Sequence, residues 1–190
     1  MSRIYDVSRP LDPAVWVWPG DRPFTCGLSW KMREGASVNV GGFTMSCHAG
    51  THIDAPFHFV EAGARSHEIP LERCLGPCQV LPLARLGAST ADRVLVKAQG
   101  GAPTATQLAG LDRRLKLFGT DFHSVDPLDS KTLDAHQALW TMGAVILEEL
   151  DLSEVPEGHY ELIALPLKLV GLDAAPVRAV LIGKDQAIGG

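Results

Sequence analysis

Residues 48–58 read His48-Ala-Gly-Thr-His52-Ile-Asp54-Ala-Pro-Phe-His58, with three imidazoles and a carboxylate all at even-numbered positions. Three of the chain's seven histidines fall within these eleven residues, a density that chance placement does not produce. A helix is disfavoured, because Gly50 weakens it and the Pro56 ring would clash with the carbonyl of His52. In an extended segment side chains alternate with period two, so His48, His52, Asp54 and His58 would share one face. Neutral imidazoles with a carboxylate form part of a divalent-metal site for Zn²⁺ or Mn²⁺. His58 is left over for proton transfer.

One segment leaves such a site open, so further ligands are expected elsewhere. His136, in Leu133-Asp-Ala-His136, and Glu148, closing Val145-Ile-Leu-Glu148, are the candidates. A carboxylate ending an apolar run is costly to bury unpaired, and a metal would remove that cost. On local sequence alone both remain open, since Glu148 could equally be a solvated charge at a strand end. Trp16 and Trp18 alternate as in a half-buried strand. His67 and His159 have no constellation and are expected at the surface; His123 is open between a substrate contact and a surface residue, with the surface the expectation. The four cysteines, Cys26, Cys47, Cys74 and Cys78, are read as free structural thiols, because the Cys-x3-Cys spacing of the last two has no second pair to build a zinc knuckle.

The elements that must position these residues are mostly strands. Short β-branched and apolar runs recur at 4–7, 78–83, 93–97, 115–119, 144–148, 160–165 and 178–182. Thr104-Ala-Thr-Gln107 is a capping-box pattern opening a helix with Leu108, Leu111 and Leu115 at helical spacing. Ser130 is a candidate cap for a second helix reaching Trp140, with Leu133, Gln137 and Trp140 along its face and His136 on board. Many strands and few helices predict a mixed α/β domain rather than a doubly wound sheet. Residues 187–190, rich in glycine, are expected to fray.

At 190 residues and 46% hydrophobic content, one domain spanning 1–190 can bury a core without disulfides. The formal net charge of -5, with no Lys/Arg run, argues against nucleic acid as a partner. No stretch approaches the roughly 18 apolar residues of a membrane span, and the start lacks a signal-like apolar run. A cytoplasmic location is the expectation. No Gly-x-Ser-x-Gly elbow is present, which disfavours a serine hydrolase.

The pattern His-x-Gly-Thr-His-x-Asp-x-Pro-x-His resembles the signature of the metal-dependent cyclase/amidohydrolase family, and within it the bacterial kynurenine formamidases (arylformamidases). Trp18-Pro-Gly-Asp21, Val38-Asn-Val-Gly41, Leu75-Gly-Pro-Cys78, Asp129-Ser-Lys-Thr-Leu-Asp-Ala-His136, 160–168 and 172–181 carry the same resemblance. It implies a swivelling β/β/α fold and a pair of divalent ions, zinc or alternatively manganese. His48 and His52 would bind one ion, His136 the other, and Asp54 and Glu148 would bridge both. His58 would be the acid/base and Trp18 would pack against the substrate's ring. The implied reaction is hydrolysis of N-formyl-L-kynurenine to L-kynurenine and formate in tryptophan degradation. A cyclic amide or lactone such as isatin is the alternative substrate class, and a non-catalytic binder the alternative role. A homodimer or higher homo-oligomer is also implied. The resemblance breaks at Phe122 and His123, where a threonine-proline pair is expected, and over 97–115, which is shorter.

Overall fold

The computed structural model describes residues 2–111 and 114–184; the expectation for 187–190 lies outside them. The centre is built from three strands that are apolar on both faces: β6 (Arg93–Lys97), β7 (Leu117–Thr120) and β8 (Val145–Glu148). With β5 (Leu75–Pro82) they pair in parallel. Parallel strands covered on both sides read as continuous hydrophobic runs, which is why these segments stand out in the sequence. Val94, Leu95 and Val96 are all fully buried, with Leu95 in one core and its neighbours in the other.

Antiparallel strands extend the sheet in both directions. On one side lie β9 (Gly158–Ile163), β11 (Val180–Lys184) and β1 (Ser2–Asp6); on the other lie β4 (His52–Asp54) and β10 (Ala174–Pro176). The order is β1-β11-β9-β5-β6-β7-β8-β4-β10. Leu181 from one flank and Ile53 from the other share a core with central Leu95, so the sheet curls over its own face. The opposite face is covered by α1 (Ala105–Ala109) and α2 (Asp134–Thr141), which bury Leu108, Ala135 and Leu139 against Val94, Val96, Phe118 and Ile146. This is the expected α/β architecture, a curled mixed sheet with few helices. Among the described residues no helix is long and apolar enough to cross a membrane.

The expected strands all form, 93–97 with the expected ends and the others shifted. Four others lie outside those runs, though β4 falls within the segment 48–58 read as extended. β4 and β10 have only three residues each. β2 (Thr25–Trp30) and β3 (Val40–Thr44) form a separate antiparallel hairpin, glycine-bearing and exposed along its whole length, so no alternation of burial marks it. Trp16 and Trp18 lie in irregular chain rather than a strand, their rings edge to face at 5.6 Å.

The capping box at Thr104 is present: its Oγ accepts from the Gln107 N–H at 3.2 Å, and the Gln107 side chain accepts from the Thr104 N–H at 2.9 Å. That helix ends at Ala109, before Leu111 and Leu115, which are nonetheless buried. Ser130 does not cap α2. Its Oγ accepts from the Leu133 N–H at 3.1 Å, closing a turn, and the helix starts at Asp134. The N-terminal amides of α2 are capped from outside by Asp126, which accepts from Ala135 at 2.9 Å and His136 at 3.0 Å. The buried face of α2 is therefore Ala135, His136 and Leu139, while Trp140 is exposed.

Candidate metal centre and active site

His52 and Asp54 alternate on β4, with Ile53 between them pointing into the core at 0% exposure. The β4–β8 register places His52 directly opposite Glu148, and directly opposed residues of an antiparallel pair share a face. α2 adds His136 from the other side. Four side chains thus converge at exposures of 1% (His52), 3% (Asp54), 2% (His136) and 4% (Glu148). His52 Nε2 lies 3.3 Å from Asp54 Oδ1 and 3.6 Å from Glu148 Oε2. His136 Nε2 lies 3.4 Å from Asp54 Oδ2 and 3.7 Å from Glu148 Oε1.

The extended reading of 48–58 holds only for His52–Asp54. Gly50 adopts φ +66, a left-handed turn that suits glycine, and Pro56–His58 is a single 3-10 turn with proline at its start. The side chains still meet: the His48 ring lies 4.9 Å from that of His52 and 4.3 Å from that of His58. His48 Nδ1 approaches Asp54 Oδ1 at 3.1 Å.

The far nitrogens of these rings are all held. His52 Nδ1 donates to the Gly50 carbonyl at 2.8 Å, and His136 Nδ1 to Asp126 at 2.6 Å. His48 Nε2 meets Asp173 at 2.9 Å, and His58 Nδ1 meets the same oxygen at 3.3 Å. Such outer partners fix the tautomer and aim of a ligand imidazole. Asp126 and Asp173 were assigned no role from the sequence. The signals were slight, an aspartate ten positions ahead of His136 and another just before the buried Ala174-Ala175 pair.

By contrast, His52 Nε2, His136 Nε2 and both Asp54 oxygens are buried without any hydrogen-bond partner. Their close contacts are not aligned as hydrogen bonds, and orphaned buried polar atoms are rare enough to need a cause. A tetrahedral ion with ligands about 2.1 Å away sets those ligands about 3.4 Å apart, close to the spacing seen here. Ligand atoms of His52, Asp54 and Glu148 form one such group and those of His48, Asp54 and His58 another, each within 4.8 Å. The donor set fits divalent ions.

Charge regulation follows from the same packing. Burial works against the protonated form of His48, but the carboxylates of Asp173 and Asp54 outweigh it and lift its pKa to about 11. His136 is likewise lifted to about 10, against burial, by Asp126 and Asp54. Burial, and then the neighbouring Asp54, push Glu148 up to about 7. Asp54 is held well below the usual carboxylate range: three histidines overcome its burial. Burial pulls His58 down from its ordinary value, favouring the uncharged imidazole.

Above this floor opens a cavity of about 370 Å³, whose wall includes Trp16, Trp18, Asp21, His58, His123 and Asp173. That volume suits a small ligand. Trp18, given a substrate-packing role by the resemblance, lines this cavity. His123, expected at the surface, is instead half-buried in the wall and stacked on Trp16 at 4.1 Å. His67 is half-buried and His159 exposed, both away from this cavity.

A buried His/Asp/Glu cradle able to hold divalent ions thus lies beneath an aromatic-walled cavity on a curled mixed sheet. Residues 5–109 match the family model described as putative cyclase. A kynurenine formamidase of Sphingopyxis alaskensis is 42% identical over 95% of this chain and 98% of its own, and one of Salinibacter ruber is 43% identical over 94% and 96%. The structure of a potential metal-dependent hydrolase with cyclase activity superposes with a TM-score of 0.78 at 28% identity, covering 97% of this chain and 100% of that one. Isatin hydrolase A from Labrenzia aggregata shares the fold, with a TM-score of 0.76 at 23% identity over 95% and 93%. The chain belongs to the cyclase/amidohydrolase family and has close homology to the bacterial kynurenine formamidases.

Proposed function

We propose that the chain hydrolyses N-formyl-L-kynurenine to L-kynurenine and formate, using a pair of divalent ions, with zinc the first choice and manganese the alternative. The observation that carries the metal chemistry is the set of buried, unpartnered donor atoms on His52, Asp54 and His136. The substrate is drawn from the kynurenine formamidases that match over nearly the full chain. His48 and His52 would hold one ion and His136 the other, with Asp54 and Glu148 shared between them. Bound there, the ions supply Lewis acidity that polarises a carbonyl and lowers the pKa of a nearby water.

The rest of the work falls to side chains. His58, tied at Nδ1 to Asp173, presents Nε2 as a base for the attacking water. It then returns that proton to the aniline nitrogen, which leaves poorly as an anion. The buried floor keeps bulk water from competing for the developing charge. Trp18 provides a face for the aryl ring.

The test is formate release from N-formyl-L-kynurenine, compared with opening of isatin and of a simple lactone, before and after chelation and metal reloading. Chelator-sensitive formamide cleavage is expected. Robust isatin or lactone opening with an inert formamide would overturn the substrate and leave the metal chemistry standing.

A homodimer or higher oligomer, with a cytoplasmic location, completes the reading. The β2–β3 hairpin exposes Leu28, Trp30, Val40 and Phe43 at 39–62%, and a lone two-stranded ribbon is marginal in water without cover. Sedimentation showing a monomer at micromolar concentration would exclude it. All four thiols are free, as a reducing compartment would keep them.

A further inference from the structure

The cavity runs from a buried, metal-ligating floor to an exposed rim, and the rim has chemistry of its own. Trp18 and Asp21 sit at the ends of one reverse turn, closed by the Asp21 N–H donating to the Trp18 carbonyl at 2.9 Å. Gly20 supplies the φ of +94 that this turn needs. Asp21 Oδ2 accepts from Ser46 Oγ at 2.6 Å. Its other oxygen has no partner among the described residues.

His123, also in the cavity wall, is held on two sides. Its ring stacks on Trp16 at 4.1 Å and 19°, and its Nδ1 bonds the carboxylate of Glu149. The Glu149 side chain is only 3% exposed, and its second oxygen lies 3.6 Å from Arg9 Nε. The Glu149 backbone is fixed as well, its N–H donating to the Phe122 carbonyl at 3.2 Å and its carbonyl accepting from Thr51 Oγ at 2.6 Å. Glu149 and Trp16 thus fix the position and plane of the His123 ring, and with it one indole of the wall.

The rim therefore offers a carboxylate oxygen and two indole faces, and among the described residues neither lysine nor arginine lines the cavity. A primary ammonium brings three donors and a positive charge, and it is attracted to aromatic faces. We propose that Asp21 is a specificity-determining residue that receives a primary ammonium group on the substrate's side arm while its aryl ring lies against Trp18. This rests on the aryl-formamide reading above and names the group that reading leaves unrecognised.

The test uses metal-loaded enzyme and three formamides: N-formyl-L-kynurenine, its decarboxylated amine, and its deaminated acid. The amine is expected to keep kcat/KM close to that of the parent. The acid is expected to fall by about 10- to 100-fold, the range of a lost charge-assisted hydrogen bond. Asp21→Asn should collapse the ratio between amine and acid. Quenching of tryptophan fluorescence by L-kynurenine should show the same loss of affinity. The metal content of the variant reports whether the floor is intact. An acid preferred over the amine, or equal rates on all three, would overturn the ammonium assignment while leaving formamide hydrolysis in place. If none of the three is cleaved, the formamide reading itself fails and this one with it.

Discussion

The floor and the rim of the cavity are built in opposite ways. His52, Asp54, His136 and Glu148 stand on β4, α2 and β8, at exposures of 4% or less. His58, His123 and Asp173 sit on turns and loops with side chains 33–37% exposed, and Trp18 is 38% exposed. Regular elements hold ligand atoms to the tolerances a metal demands, and turns tolerate substitution. Rim residues other than His58 and its partner Asp173 can thus change which molecule enters without disturbing the chemistry beneath.

The largest effect should come from the floor. Asp54→Asn keeps the shape and removes the shared charge, so bound metal should be lost and kcat/KM should fall by about 1,000-fold or more. A variant that retained both ions and most of its activity would refute the division into floor and rim. His58→Ala comes next, with a kcat loss of about 100- to 10,000-fold while metal content stays constant. His58 lies within ligand reach alongside His48 and Asp54, so metal loss in this variant would move it from the rim to the floor. Asp126→Asn is smaller. It loosens the aim of His136 and should weaken metal affinity by about 10- to 100-fold, read by competition with a chelating dye.

What was legible in the sequence follows the same line. The central strands announce themselves because both faces are buried, and His52 and Asp54 are paired by simple alternation. The period-two argument reached His48 and His58 for the wrong reason: Gly50 and the Pro56 turn, rather than extended chain, bring them in. Asp126 and Asp173 were hidden, because they act across 10 and 115 or more positions of chain and no local periodicity marks such a contact. His123 was visible as a possible substrate contact but not decided, since its place in the wall depends on Trp16, more than a hundred residues earlier. The helix cap went astray because the nearer hydroxyl, Ser130, closes a turn while Asp126 reaches the helix from beyond it.

The smallest predicted effect concerns stability without metal, and it separates the floor's two states. His48 and His136 have folded pKa values raised to about 11 and about 10. The stabilisation they give is complete below the unfolded value of about 6.5 and fades as pH climbs through the folded values. Glu148, raised to about 7, adds a loss in the same direction, beginning above its unfolded value of about 4.3. Asp54 and Asp173 are depressed, so their stabilisation is present above about 3.9 and lost in stronger acid. Chelated protein should therefore melt highest near pH 4–6 and lower by several degrees at pH 9, at about 2–4 °C per kcal/mol for a domain of this size. Metal must displace the same protons, so the rise in Tm on adding zinc should grow from pH 6 to pH 9. The two melting curves should diverge with pH. Chelated protein that became more stable between pH 6 and 9 would mean that the floor does not hold protons where ions are assigned.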